Sequence, residues 1–467
     1  MARAEHIQLA TTSQYAPSAS SAKSARRSSG SSSVSDGRAL DSQTRTRRLF
    51  SFLPLFCFSL TYMSVWEGTT QMMYFALYNG GPTTFLFSFV VAFCGALCQA
   101  ASLGEMASLE PIAGAQYHWT YHLAPLRVRR FAAWIQAWST WFGYLSLLAG
   151  VANVTIIQLE STIQLNHEAY VPGGWHTSVL VIAMIVPFGL INMYAFKLVP
   201  LIELMTGVLH VCLFVVFVVV FAVYGHGNSA EFIFLRSNVS SGWSNTYVSW
   251  NIGMLSCVWS FTGFDSVVHM SEEARSAKSA VPRAMFWSIL ANGILAFVML
   301  IMILRAMGPI EDALDAASPI ITILLDITGS RAATTALSSG LVVICFNVNL
   351  TNIASASRLT WAWARDGGLP AYFAYVHPRH RVPQRAIVLS MLIVSALCLL
   401  NIGSGAYVAF GAIAALGSLA LYLSYAIAIA SILSSRLRNP KLKLGEWNLG
   451  RYGVFVNSFA LMYTFVV

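Results

Sequence analysis

Runs of about 20 mainly apolar residues recur along the chain from Phe52 onward, and no other feature of the sequence restricts its fold as strongly. At 1.5 Å per residue, a helix of that length crosses the roughly 30 Å of hydrocarbon in a bilayer. Backbone in lipid must satisfy its own hydrogen bonds, and a helix does so within one segment. A β-barrel would instead show stretches of about ten residues alternating apolar and polar, whereas Val208–Val223 carries apolar residues on every face. Hydrophobic residues make up 56% of the 467 and charged residues only 10%, against about 25% charged in soluble domains. The expected class is an all-α polytopic membrane protein.

The seven cysteines, Cys57, Cys94, Cys98, Cys212, Cys257, Cys345 and Cys398, all fall inside apolar runs, which implies no disulfide framework. A net charge of +9 would suit nucleic acid if it gathered on one soluble face, but the bases flank apolar runs instead. No nucleic-acid partner is expected; the lipid bilayer is. Residues 1–48 are rich in Ser, Ala and Arg with little to pack, too little to offset their ordering entropy. They are expected to form a disordered cytoplasmic tail. A transit peptide is the weaker alternative, because Glu5, Asp36 and Asp41 break the acid-poor pattern.

Spans are expected at 52–78, 83–109, 131–157, 177–195, 199–224, 250–270, 285–306, 336–356, 386–403 and 405–434, with an eleventh starting near 453. All 28 Lys and Arg residues except Arg236, Arg305 and Arg331 then lie on the side of the tail. Cytoplasmic loops carry such an excess, so the tail is placed inside. Asn238-Val239-Ser240 falls in an outside loop, where a sequon is available for glycosylation on a secretory route. Residues 49–224 hold spans one to five and residues 250–434 spans six to ten. Residues 453–467 form a partial eleventh span, short for the hydrocarbon layer, so truncation there is expected.

A charge near the bilayer centre costs at least about 2.5–3.5 kcal/mol, which singles out Glu67, Glu105, Glu203 and Asp265. Glu67 lies in Ser64-Val65-Trp66-Glu67-Gly68-Thr69-Thr70, where Gly and hydroxyls interrupt span one. Asp265 lies in Phe261-Thr262-Gly263-Phe264-Asp265-Ser266, at a comparable depth in span six. Matching breaks in two halves point to a transporter site at the midplane, since unwound backbone can face a substrate there. Five spans per half is an odd number, so the second half must be inverted. Glycines that merely allow close helix packing are the alternative, which two Gly-plus-acid breaks at corresponding positions disfavour. Glu203 and His210 in span five are proton-coupling candidates, an unperturbed imidazole titrating near 6.5. A structural role for His210, and capping or pairing for Glu105, are the plainer readings.

Further motifs carry a family resemblance. Phe261-Thr262-Gly263-Phe264-Asp265, then His269-Met270-Ser271-Glu272-Glu273 and Pro282-Arg283-Ala284-Met285, resemble the span-six signature of the amino acid, polyamine and organocation superfamily. The stretch from Ser357 to Pro370 resembles the inner loop after span eight in its fungal amino acid and choline branch, the GABA permease-like transporters. Asn79-Gly80-Gly81-Pro82, Ser102-Leu103-Gly104-Glu105-Met106-Ala107-Ser108 and Gly114-Ala115-Gln116-Tyr117-His118-Trp119 fit it as well. The resemblance covers about residues 50–467. It implies a five-plus-five inverted-repeat fold with two discontinuous helices, alternating access, usually proton-coupled uptake, and twelve spans.

By position, it also implies a substrate carboxylate on the amides of Gly68 and Thr69 at the positive end of a half-helix, and an amine at the carbonyls around Phe261, Thr262 and Gly263. Trp66-Glu67 departs from the small residues many amino acid carriers have here. A fixed carboxylate there suits a cation, and Trp66 could add a cation–π contact. Glu67 pointing away, or carrying a proton after burial, would remove that preference.

The expectation is therefore a plasma-membrane symporter for an amino acid, γ-aminobutyrate or choline. Trp66, Glu67, Gly68, Thr69, Phe261, Thr262, Gly263 and Asp265 would form the substrate site, with no cofactor and no metal. A nutrient sensor of the same fold is the alternative. An enzyme is disfavoured, since the sequence contains neither a His-Glu-x-x-His motif nor a tight Ser/His/Asp arrangement.

Overall fold

The computed structural model describes residues 46–315, 318–403, 406–439 and 442–467. Residues 1–45 of the expected tail lie outside the described residues. In chain order the helices are α1 (Phe52–Met63), α2 (Val65–Leu109), α3 (Gln116–Leu123), α4 (Arg129–Asn166), α5 (Gly174–Tyr194), α6 (Val199–Tyr224), α7 (Ala230–Leu235) and α8 (Thr246–Phe261). They continue with α9 (Ser266–His269), α10 (Ala277–Ala306), α11 (Ile310–Leu314), α12 (Pro319–Thr328), α13 (Arg331–Arg365), α14 (Gln384–Cys398), α15 (Ala406–Arg438) and α16 (Gly453–Val466). Among the described residues the β pairing is confined to an isolated bridge, Phe50 with Ala274.

Among the described residues, eight helical stretches are long and apolar enough to cross a membrane, fewer than the ten full spans expected. The difference has two local causes. The 58-residue stretch Phe52–Leu109 is two crossings: Gly81 adopts φ 74° and ψ −160° just before Pro82 and folds the second back on the first. A Cβ at Gly81 would sit 2.9 Å from the Asn238 amide, so this close approach as well as the positive φ requires glycine. The expected sixth span stops at Phe261, leaving α8 with 16 residues.

α2 packs chiefly on α8 and α10, and α4 on α15 and α13. The apolar window of α4 is 89% buried and that of Phe196–Tyr224 only 33%. α4 is therefore an inner helix of the bundle, and α6 presents most of its apolar surface outward, as lipid contact demands.

The break in the first crossing is one residue, Ser64, at φ 39° and ψ 55°. Serine tolerates this left-handed geometry because its Oγ donates to the Thr61 carbonyl at 2.7 Å. The flanking backbone is held by Asn292 of α10, whose Nδ2 donates to the Leu60 carbonyl at 2.9 Å while its Oδ1 accepts from the Val65 amide at 3.3 Å. One side chain thus joins the end of α1 to the start of α2. Asn292→Leu leaves the Val65 amide unmet in an apolar interior, at about 1–3 kcal/mol, while the Leu60 carbonyl keeps only its bond from the Ser64 amide. A lower thermal unfolding midpoint of the detergent-purified protein is the expected result; an unchanged midpoint contradicts this bracing role.

Candidate functional site

Helical spacing decides which residues of the two breaks face each other. Ser64, Glu67, Gly68 and Gln71 form an i, i+3, i+4, i+7 stripe on α2 and its leading residue. Leu147, Val151 and Val154 repeat that spacing on α4, and Cys345, Val348 and Asn352 on α13. These stripes, with Tyr62 and Met63 from α1 and Trp259, Ser260 and Thr262 from the end of α8, enclose a central cavity. The space open to the centres of water-sized spheres is about 40 Å³, room for a few waters and too little for a larger organic molecule. Its wall is mostly apolar, and Glu67 is the single carboxylate in it.

The backbone at the two breaks presents opposite partial charges. The first i-to-i−4 bond of α2 runs from the Gly68 amide to the Ser64 carbonyl at 2.8 Å, so the Trp66 and Glu67 amides lie ahead of it, at the positive end of a half-helix. This corrects the register expected from sequence: Gly68 is already inside the helix, and the leading amides lie closer to Ser64. The α8 C-terminus supplies the negative end. There Thr262 turns out of the helix at ψ 139°, its amide donating to the Trp259 carbonyl at 3.0 Å and its Oγ1 to the Val258 carbonyl at 2.9 Å.

The second break is braced like the first. Gly263 takes φ +84°, and a Cβ there would lie 2.6 Å from Leu147 Cδ2 and 2.9 Å from Tyr62 Cε1. The Tyr425 hydroxyl of α15 accepts from the Gly263 amide at 3.2 Å and donates to Asp265 Oδ1 at 2.5 Å. Gln116 Nε2 of α3 donates to the other oxygen of Asp265, and His269 Nε2 stands 3.9 Å from it. Asp265 is thus tied into the scaffold that holds the break.

α6 grips the first crossing on both sides of Ser64. Glu203 Oε2 accepts from Thr61 Oγ1 at 2.6 Å and from Asn347 Nδ2 at 2.9 Å. Seven residues on, His210 Nδ1 meets Glu67 Oε1 at 2.7 Å, both side chains fully buried. Among the described residues, Glu67 Oε2, His210 Nε2, Gln71 Oε1 and Trp259 Nε1 have no hydrogen-bond partner. Three of these four belong to residues that line the cavity; other unpartnered buried atoms, such as Gln99 Oε1 and Trp363 Nε1, lie away from it.

Of the residues singled out from sequence, Glu67, Gly68 and Thr262 line the cavity. Trp66 turns toward α6, its ring 6.0 Å from His210 and 5.3 Å from Phe217. Phe261 packs on Phe89 and Phe93, and Thr69 is buried off the cavity-facing stripe. Gly263 and Asp265 shape the break without lining the cavity, and Glu203 and His210 stand behind it. Tyr62, Gln71, Trp259 and Asn352 line it unanticipated by sequence; the i, i+3/i+4, i+7 stripes were the available signal. Glu105 lies away from the site, its Oε1 accepting from Arg436 Nη2 and from the Leu449 amide at 2.6 Å.

Comparison with known proteins agrees with an all-helical polytopic membrane fold. The family model described as amino acid permease matches residues 50–467. An amino acid/polyamine transporter of Macrophomina phaseolina, so named provisionally, is 28% identical, the match covering 87% of this chain and 90% of that protein. The choline transporter of Saccharomyces cerevisiae is 26% identical over 91% of this chain and 76% of its own. An amino-acid permease BAT1 homolog of Oryza sativa is 27% identical over 91% and 85%.

Proposed function

The chain belongs to the amino acid permease family of the amino acid, polyamine and organocation superfamily, and from that premise we propose that it carries an amino acid or small organic amine through the central cavity by alternating access. Spans one to five and six to ten would form inverted repeats, with the N-terminal tail on the cytoplasmic side of the plasma membrane. The observation that carries the reading is Glu67, among the described residues the single carboxylate in the cavity wall, its Oε2 unpartnered, with Trp259 also in that wall. A carboxylate and an indole face together recognise an amine or quaternary ammonium group. The negative end of α8 adds to the attraction and the leading amides of α2 offer a place for a cargo carboxylate. The likeness to a choline transporter supports a quaternary amine as cargo. At about 40 Å³ the cavity is too small for such a cargo, so in this reading the half-helices part for loading.

Coupling to protons is proposed at the contacts between α6 and the first crossing. Glu203 and His210 on α6, behind the cavity, would carry the proton while Glu67 meets the cargo, so that both are bound at once as symport requires. Uptake of labelled choline, γ-aminobutyrate or mixed amino acids into proteoliposomes, with and without a proton gradient, tests this. Accumulation of one cargo that collapses with the gradient is expected, and Glu203→Gln should retain exchange while losing gradient-driven accumulation. Accumulation that ignores the gradient contradicts the coupling; saturable binding with no uptake of any cargo contradicts transport.

A further inference from the structure

A second cavity, of about 350 Å³, opens at the end of the bundle where the described chain begins. Its wall draws Arg47 from the segment before α1, Lys197 from the turn between α5 and α6, and Arg379, His380 and Arg381 from the loop between α13 and α14. Among the described residues the one acid in the wall is Glu273, whose charge is met by Arg358, Nε to Oε1 at 3.0 Å.

Three sequence-distant segments therefore converge on one concave site of positive charge. At the same end of the bundle Arg365 pairs with Glu272 and Arg436 with Glu105. Among the described residues, Arg47, Lys197 and Arg379 meet no carboxylate within 4.0 Å. His380 is held below the ordinary imidazole range, first by desolvation and then by positive charge at His377, Arg379, Lys197 and Arg47. The apolar rim is exposed: Tyr194, whose ring meets His380 edge-on at 5.4 Å, is 59% exposed, and Leu198, next to Lys197, 54%. Clustered cations repel one another unless an anion sits among them. Basic pockets beside membrane helices suit phosphate headgroups, and an apolar lip suits the chains attached to them.

We propose that this cavity binds the phosphate-bearing headgroup of an anionic lipid, with Arg47, Lys197 and Arg379 on the phosphates and the acyl chains leaving past Tyr194 and Leu198. The inference rests on the cavity alone and stands apart from the choice of cargo. A short-chain dioctanoyl phosphoinositide titrated into the detergent-purified full chain, with the soluble inositol phosphate and inorganic phosphate as lipid-free arms, tests it.

Saturable binding of the lipid is expected. Lys197→Ala and Arg379→Ala should each weaken it about fivefold. Arg127→Ala and Arg130→Ala, basic positions on the same end of the bundle but outside the cavity, should leave it unchanged. Lys197 and Arg379 are exposed, so unchanged unfolding midpoints should accompany the weaker binding. Binding by the four variants alike, or weakening by all four alike, overturns the site. Equal affinity for the lipid-free inositol phosphate overturns the lipid in favour of a soluble organic phosphate. A serine-phosphorylated peptide of residues 1–45 that binds where the lipid does not overturns it in favour of the chain's own tail.

Discussion

Gly263→Ala is expected to abolish cargo uptake and to lower the unfolding midpoint of the purified protein. Two costs add. The positive φ of +84° is strained for any residue bearing a Cβ, at about 1–3 kcal/mol. The new methyl would also meet Leu147 Cδ2 at 2.6 Å and Tyr62 Cε1 at 2.9 Å, and overpacking costs about 1–3 kcal/mol more. Relief can come only by shifting the break, which would detach the Gly263 amide from Tyr425 and displace Tyr62 and Leu147 in the cavity wall. Gly227→Ala separates the two terms. Gly227 has a similar φ of +79°, and a Cβ there would have nothing within 4 Å, so it incurs strain without crowding and should leave uptake intact. Leu147→Ala added to Gly263→Ala should recover part of the midpoint. Normal uptake by Gly263→Ala would show that the second break does not need this geometry.

Glu67→Gln is expected to reduce uptake of a cationic cargo by two to three orders of magnitude. The substitution keeps the shape of the side chain and removes the single carboxylate from the cavity wall. Truncating one partner of a buried, hydrogen-bonded charge pair at a binding site costs about 2–5 kcal/mol, a range centred on about 10²–10³ in affinity. His210 also loses an anionic partner at 2.7 Å, so gradient-driven accumulation should fall even for a cargo that still binds. Kinetics measured at several cargo concentrations distinguish the two, since lost recognition raises the half-saturating concentration. Unchanged kinetics for every cargo would remove Glu67 from the site.

The crossings were legible because a helix in lipid must be apolar along a length set by the bilayer, a rule that the eight long stretches obey and that α8 and α16, with 16 and 14 residues, do not. The exact break in the first crossing was not. Sequence drew attention to Gly68, but the left-handed residue is Ser64, made tenable by Asn292, a residue far along the chain on α10. Gly68 serves a different end: a Cβ there would meet Ser260 Oγ at 3.4 Å and Trp259 Cζ3 at 3.8 Å, so its smallness brings the two half-helices together. That is the packing role weighed as the alternative, found in the same residue that lines the cavity. At the second break the local signal sufficed, because glycine was the residue that had to take positive φ.

Side-chain direction was the harder part. Trp66 and Glu67 are neighbours in sequence yet about 100° apart around a helix of 3.6 residues per turn, so one faces α6 and the other the cavity. The aromatic wall comes instead from Trp259, on a helix whose orientation depends on the break that follows it. Asp265 shows the converse: an acid at the expected depth whose oxygens are taken up by Tyr425 and Gln116.

Cys345 offers the most direct test of where cargo sits. It lines the cavity, with Gln71 Nε2 at 3.1 Å from its sulfur, while Cys57 lies outside it. Alkylation of the protein in proteoliposomes by a water-soluble maleimide, followed peptide by peptide by mass spectrometry, measures access to each thiol. A transported amine at saturating concentration is predicted to slow modification of Cys345 and leave Cys57 unaffected. An unchanged rate at Cys345 under those conditions would contradict a cargo site between the two breaks.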